Sequence, residues 1–470
     1  MTDDKLWGRF WLPEGQDQSV GGWLDLSGRW PRLELADPLT GDRLTPTGDG
    51  GWKRDVTAGS DRIPVVHGML RAAPNRITLI DAHTVSRQRN WGSGVPDPGT
   101  QALRADHAVR GLWSGGAEQT FTIVEIRLNH LDEWAELPGL SLEIEDKPNG
   151  RVSIAHEPQD VTPVAVRDPA GTLTLTSRNP LPNLTFRGAR LDRGAYVRWE
   201  ADSGDPGLTV DQILARLVGP MVHAVSTAMD ARCLPESVRV ARADTPLADL
   251  HFATRVDPEP ERARVAIGSD LLTRTHFGLT HLATWLERAP VLNPIPAVLL
   301  QSFSDPDRPI ESQVLDLATA AEGLHRRLHP SDRRMSRRQA DRARKLARDA
   351  VDADLRDLVN EALTHLGDWS FRDRLQSLVS TARAVPVDVV GNADEWVDEV
   401  AKARNGFAHQ LTASSTRPIE DEIRHYARLR DSLRWLLSLV LLLDAGVVPA
   451  VLGERLAQHE RFRRLRRRAS

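Results

Sequence analysis

Three observations predict an α+β multidomain protein, with a β-rich N-terminal region followed by an all-α helical bundle. Up to about Gly204 the chain is dense in Gly, Pro and Trp, and its apolar residues fall in short alternating runs between turn signals. From Leu208 the apolar period becomes helical. Beyond a stretch broken by Pro294, Pro296, Pro306 and Pro309, β signals almost vanish. At 470 residues the chain is too long for one ordinary core. The expected organisation is a β-rich domain over 1–205, a mixed part with a linker over 206–305, and an all-α domain over 306–470.

The strands read first. Phe121 to Leu128 alternates as a half-buried strand does. Thr172 to Thr176 repeats the pattern after the turn Pro169-Ala170-Gly171, and Tyr196 to Trp199 is a third example. The tryptophans of the first half are expected mainly in the cores of small β-layers. A helix is expected from Thr209, a cap ahead of Asp211 and Gln212, with Val210, Ile213, Leu214, Leu217 and Val218 at helical spacing. Further helices are predicted over Leu279 to Arg288, Glu311 to Leu328, Arg337 to Leu366, Phe371 to Ala382, Asn392 to Arg404 and Pro418 to Leu443. Pro418 suits a first turn, and Glu420, Asp421 and Glu422 suit the positive end of the helix dipole.

Composition narrows the function classes. The lone Cys233 can neither close an internal disulfide nor build a thiolate metal site, which fits a cytoplasmic setting. The opening residues carry acids where an export signal needs basic residues, so no such signal is expected. The most apolar stretch, Trp435 to Val448, falls short of the roughly 20 residues that cross a bilayer and reads as a buried helix, with no membrane partner. A net charge of −4 gives no global attraction to nucleic acid, so binding must come from local basic patches. One contains Arg326, Arg327, Arg333, Arg334, Arg337, Arg338 and Arg342, and the other is the tail Arg461 to Arg468. The first is either an RNA-backbone contact or a solvated helix laced to Asp332, Asp341 and Asp349. The tail is expected to fray.

Arg404-Asn405-Gly406-Phe407-Ala408-His409 carries the chemistry. Trp396, Val397, Val400 and Ala403 form one apolar stripe leading into it. Gly406 and the loop-like run 412–416 are expected to end the helix abruptly, and a distorted end is needed to bring Arg404 and His409 to one cleft. A neutral imidazole takes the proton of a ribose 2′-hydroxyl, and a guanidinium clamps phosphate oxygens as charge builds on phosphorus. Asn405 is placed to orient either group. Such chemistry needs no metal and refuses DNA, which lacks the 2′-hydroxyl.

The segment RNGFAH resembles the R-x4-6-H signature of the HEPN superfamily. Leu317 to Arg326 resembles the first helix of its ApeA-like branch, in which a glutamate faces the motif, so Glu322 joins the candidate site. Gly8-Arg9-Phe10-Trp11-Leu12-Pro13-Glu14, followed by Val20-Gly21-Gly22-Trp23-Leu24, is similar to the opening of the β-rich domain that precedes HEPN in ApeA antiphage proteins. That resemblance implies an antiphage, abortive-infection endoribonuclease without cofactors. Its catalytic set is Arg404, Asn405, His409 and Glu322, and Arg326, Arg327, Arg334, Arg337 and Arg338 are its candidates for holding RNA. It further implies cleavage of host RNA such as tRNA, release by an unknown phage trigger protein, and pairing into a homodimer or higher homo-oligomer. Two other readings stand: a non-catalytic HEPN module for dimerisation or RNA binding, and the toxin of a toxin–antitoxin pair. His325 and His329, four apart, lack a supporting carboxylate or cysteine for a metal site, and Asp305 and Asp307 read as turn residues.

Overall fold

The computed structural model describes residues 5–40, 43–46, 52–55, 62–88, 99–136, 140–144, 152–156, 161–178, 183–185, 188–190, 194–253, 270–304, 308–409 and 418–469. Asp305, Asp307 and the run 412–416 lie outside them. The chain divides into two compact units, 1–222 with 234–264, and 223–233 with 265–470.

The first unit is built on a twelve-stranded antiparallel sheet. Its barrel part uses β1 (Lys5–Trp11), β2 (Val20–Asp25) and β3 (Arg32–Leu35). A separate two-stranded ribbon of β4 (Arg43–Pro46) and β5 (Trp52–Asp55) follows, and then β6 (Arg62–Leu70), β7 (Arg76–Gln88) and β8 (Thr100–Arg110) complete the barrel. The order β8-β3-β2-β1-β6-β7 closes on itself because β7 pairs with β8 as well as with β6. Closure removes the free edges that an open sheet exposes. Alternation puts Phe10, Leu24, Leu33, Leu35, Val66, Ile77, Leu79 and Leu103 inside. Gly68 is required at one crowded point, since a Cβ there would lie 2.6 Å from the Phe10 ring.

From β8 the sheet runs on through strands that come later in the chain. These are β9 (Ile123–Leu128), β12 (Val164–Arg167), β13 (Ala170–Arg178), β16 (Gly194–Ala201), β17 (Pro235–Ala241) and β18 (Ala248–Phe252), in the order β18-β17-β9-β16-β13-β12. The hairpins β10 (Leu140–Ile144) with β11 (Val152–His156), and β14 (Asn183–Thr185) with β15 (Gly188–Arg190), stand apart from it, and the short α1 (Leu131–Ala135) follows β9. The three strands predicted from alternation all lie in this half, and Trp134 and Trp199 are fully buried there. Thr209 caps α2 (Val210–Ile213) through a capping box with Gln212, and the helical run continues to α3 (Gly219–Met229).

The second unit is helical. The helix expected over Leu279 to Arg288 is α4 (Leu279–Leu292), and α5 (Ile295–Ser304) forms within the proline-broken stretch, where the sequence suggested a linker. Pro296 sits in the first turn of α5, where a missing N–H costs little, whereas Pro290 lies inside α4 and forgoes one helical hydrogen bond there; Leu292, Ile295 and Leu299 are buried. Then come α6 (Ile310–Leu328), α7 (Arg337–Asp349), α8 (Arg356–Ala362), α9 (Phe371–Ala382), α10 (Ala393–His409), α11 (Ile419–Asp444), α12 (Pro449–Gln458) and α13 (Glu460–Ala469). The single helix expected over Arg337 to Leu366 is in fact α7 and α8, parted over 350–355, where the last three residues form a 3-10 turn, and α8 ends at Ala362. Helix α6 is the hub and packs on α5, α9, α10 and α11. The tail does not fray: Phe462 and Leu465 of α13 are buried, and Phe462 meets Trp435 edge to face at 5.4 Å. Buried Asp230, held by Arg434, Arg461 and His459, anchors the same end of the bundle.

Candidate functional site

Helix α10 carries the motif. Trp396, Val397, Val400 and Ala403 are buried, as the apolar stripe requires, and the Trp396 indole donates to Ser432 Oγ at 2.8 Å. The helix does not stop at Arg404. It runs through Gly406 to His409, because one glycine costs a helix only about 1 kcal/mol relative to alanine. Arg404 and His409 are therefore separated by about 140° around a continuous helix, while Asn405 and His409 share a stripe one turn apart. The side chain of His409 lies outside the described residues. Asn405 is exposed. Beyond it, Phe407 meets Tyr426 of α11 edge to face at 4.9 Å, which seats the last turn on its neighbour.

Glu322 and Arg404, 82 residues apart in sequence, meet across the contact of α6 with α10. Arg404 Nη2 donates to Glu322 Oε2 at 2.8 Å. Arg326, one turn along α6, donates to the other carboxylate oxygen, also at 2.8 Å. One half-buried carboxylate thus serves two guanidinium groups, and the cluster keeps an excess of positive charge. The Arg404 guanidinium also lies over the Phe371 ring, 4.5 Å from its centre.

The contact of α6 with α9 holds a buried polar pair. Arg374 Nη1 donates to His325 Nδ1 at 3.3 Å, and both residues are almost fully buried. An arginine can only donate, so Nδ1 is the acceptor and the imidazole proton sits on Nε2. Burial, reinforced by His329 and Arg374, holds the His325 imidazole down to about 4, so it is neutral near pH 7. Its ring stacks on Trp369 with centroids 5.1 Å apart. Among the described residues no cluster of three or more metal-ligating side chains is found.

The other basic candidates are dispersed. Arg327 donates to the carbonyls of Asn293 and Gly323, both at 3.3 Å, and so helps tie α6 in place. Arg334, Arg337 and Arg338 are exposed, and Ala340 is the only buried residue of α7. The contacts of Phe371 and Arg374 were not legible in sequence. The Ser370-x-x-Asp373 capping box announces the start of α9, but no local pattern places its first residue against an arginine 33 positions later.

With this geometry established, comparison with known proteins adds two matches. The model for ApeA N-terminal domain 1 matches residues 5–175, and the model for Apea-like HEPN matches residues 315–449. The chain belongs to the ApeA-like HEPN family. The Apea-like HEPN match takes in most of α6 and all of α10, and with them Glu322 and the whole RNGFAH motif. This ApeA-like chain is thus an antiphage-type HEPN-domain protein, with a domain whose family members are generally nucleases and commonly dimerise and bind RNA. No curated protein and no solved structure matches it. Among the described residues no helix is long and apolar enough to cross a membrane.

Proposed function

We propose that this protein is an abortive-infection endoribonuclease that cleaves host RNA, tRNA foremost, by internal attack of the ribose 2′-hydroxyl without a metal ion. The observation that supports this most is the Arg404 guanidinium, fixed by Glu322 one and a half turns before His409 on the same helix. His409 removes the 2′-proton, and the 2′-oxygen attacks phosphorus. Arg404 holds the non-bridging oxygens as their charge grows, which is where a preorganised donor contributes most. The products are a 2′,3′-cyclic phosphate and, once the departing oxygen has taken up a proton, a 5′-hydroxyl. Asn405, on the stripe of His409, orients the imidazole, and Glu322 is the supporting carboxylate.

The angle of about 140° between Arg404 and His409 gives dimerisation a physical role. When two motifs face each other across a seam, the arginine of one copy and the histidine of the other reach one phosphate. Arg326, Arg327, Arg334, Arg337 and Arg338 hold the flanking RNA backbone. A phage product releases the nuclease, and the β-rich unit takes part in sensing it. The test is RNA sequencing from infected cells carrying wild type or His409→Ala at equal protein level. New tRNA ends only with wild type support the reading. Identical RNA profiles, with phage protection retained by the variant, would instead favour the non-catalytic module.

A further inference from the structure

We infer that Phe371 is a positioning residue for the nuclease: its ring is a fixed shelf that holds the Arg404 guanidinium flat and presents its N–H edge to the scissile phosphate. This inference rests on the ribonuclease reading of Arg404 and deepens it. An arginine side chain has many rotamers, and a single salt bridge to Glu322 fixes one end of the guanidinium without fixing its plane. The ring supplies the plane. With the guanidinium carbon 4.5 Å from the ring centre and Nη2 donating to Glu322 at 2.8 Å, the group is held from a face and from one edge. Its remaining in-plane donors stay available for a phosphate, which an arginine binds best with two parallel N–H groups.

The shelf is itself immobilised. Phe371 is the first residue of α9, directly after the N-cap Ser370, whose N–H and Oγ contact the Asp373 carboxylate at 3.0 and 2.7 Å. Two further bonds cross from α9 to α10: Arg372 to Asp398, and Gln376 Nε2 to Asp394 Oδ1 at 3.3 Å. On the opposite flank Arg374 is bound to His325 of α6. The start of α9 is therefore tied to both helices whose residues meet at the site. Arg326 complements the shelf: it keeps a positive partner on Glu322 when Arg404 engages phosphate, so that carboxylate does not compete for Arg404 with its full charge.

The test uses purified full-length protein, activated with lysate of phage-infected cells, and reads initial rates over a range of RNA concentrations. Phe371→Leu keeps an apolar side chain and removes the ring; Phe371→Tyr and Phe371→Trp keep a ring. Because Arg404 acts on charge that develops in the transition state, Phe371→Leu is expected to lower kcat about tenfold with KM within about twofold, while the aromatic variants stay near wild type. Melting curves confirm that each variant is folded. A residue serving only packing would lower the melting temperature and leave kcat per folded molecule unchanged. If Arg404→Ala is inactive and folded Phe371→Leu keeps the wild-type kcat, the shelf is refuted and the ribonuclease reading survives. If Arg404→Ala cleaves like wild type, or if wild type does not cleave, the ribonuclease reading falls and this inference with it.

Discussion

Protonating His325 in the folded chain would place a second cation against Arg374 in a buried site, and from this a specific acid sensitivity follows. The imidazole is held at about 4 in the folded state, against an ordinary value of 6.5. Between those values the unfolded chain binds a proton that the folded chain refuses, so stability falls as the pH falls. The contribution is complete above about pH 6.5 and exhausted below about pH 4. Over the experimentally convenient interval from pH 7.5 to pH 5 it amounts to about 2 kcal/mol. His325→Phe retains the stack on Trp369 and cannot titrate. Because two units need not unfold together, the assay is local: amide exchange of α6 and α9 peptides, corrected for intrinsic rates and converted to opening free energies. Wild type is expected to lose about 2 kcal/mol more than His325→Phe on going from pH 7.5 to pH 5. Parallel losses in the two proteins would refute the buried, neutral imidazole.

Two further outcomes follow from the second unit. Asp230→Asn keeps a residue that tolerates the left-handed backbone there but removes the anion from the Arg434, Arg461 and His459 cluster, so it is expected to cost about 3 kcal/mol and lower the melting temperature of that unit by roughly 10 °C in calorimetry; Arg434→Met in the same background should recover part of the loss. Glu322→Gln leaves Arg404 and Arg326 facing each other without a carboxylate, and RNA cleavage in infected cells should fall by about tenfold or more while the protein remains folded. Unchanged cleavage would remove Glu322 from the site.

Local signals carried far into this fold. The spacing around Thr209 and the run Phe371 to Ala382 mark helix starts that depend on one cap and a few neighbours, and both are found where the pattern puts them. Alternation identified strands in the β-rich half, yet closure of the barrel depends on β7 pairing with both β6 and β8, a long-range choice that no window of sequence contains. Pro294 and Pro296 suggested a broken linker because a proline signal does not say whether it interrupts a helix or opens one. The tail held its own clue in Phe462 and Leu465, spaced one turn apart amid arginines, which is an amphipathic helix with something to dock on. Of the site, the RNGFAH motif was visible as a resemblance, whereas the Arg404 contact with Phe371 and the burial of Arg374 on His325 arise only from the packing of α6, α9 and α10.

The most direct test of the central claim is to incubate total cellular RNA with wild type and with His409→Ala, in EDTA and with infected-cell lysate as activator, and to determine the chemistry of the new ends. The account predicts 2′,3′-cyclic phosphate and 5′-hydroxyl ends from wild type alone. Cleavage by a folded His409→Ala protein, or ends bearing 5′-phosphate, would contradict it.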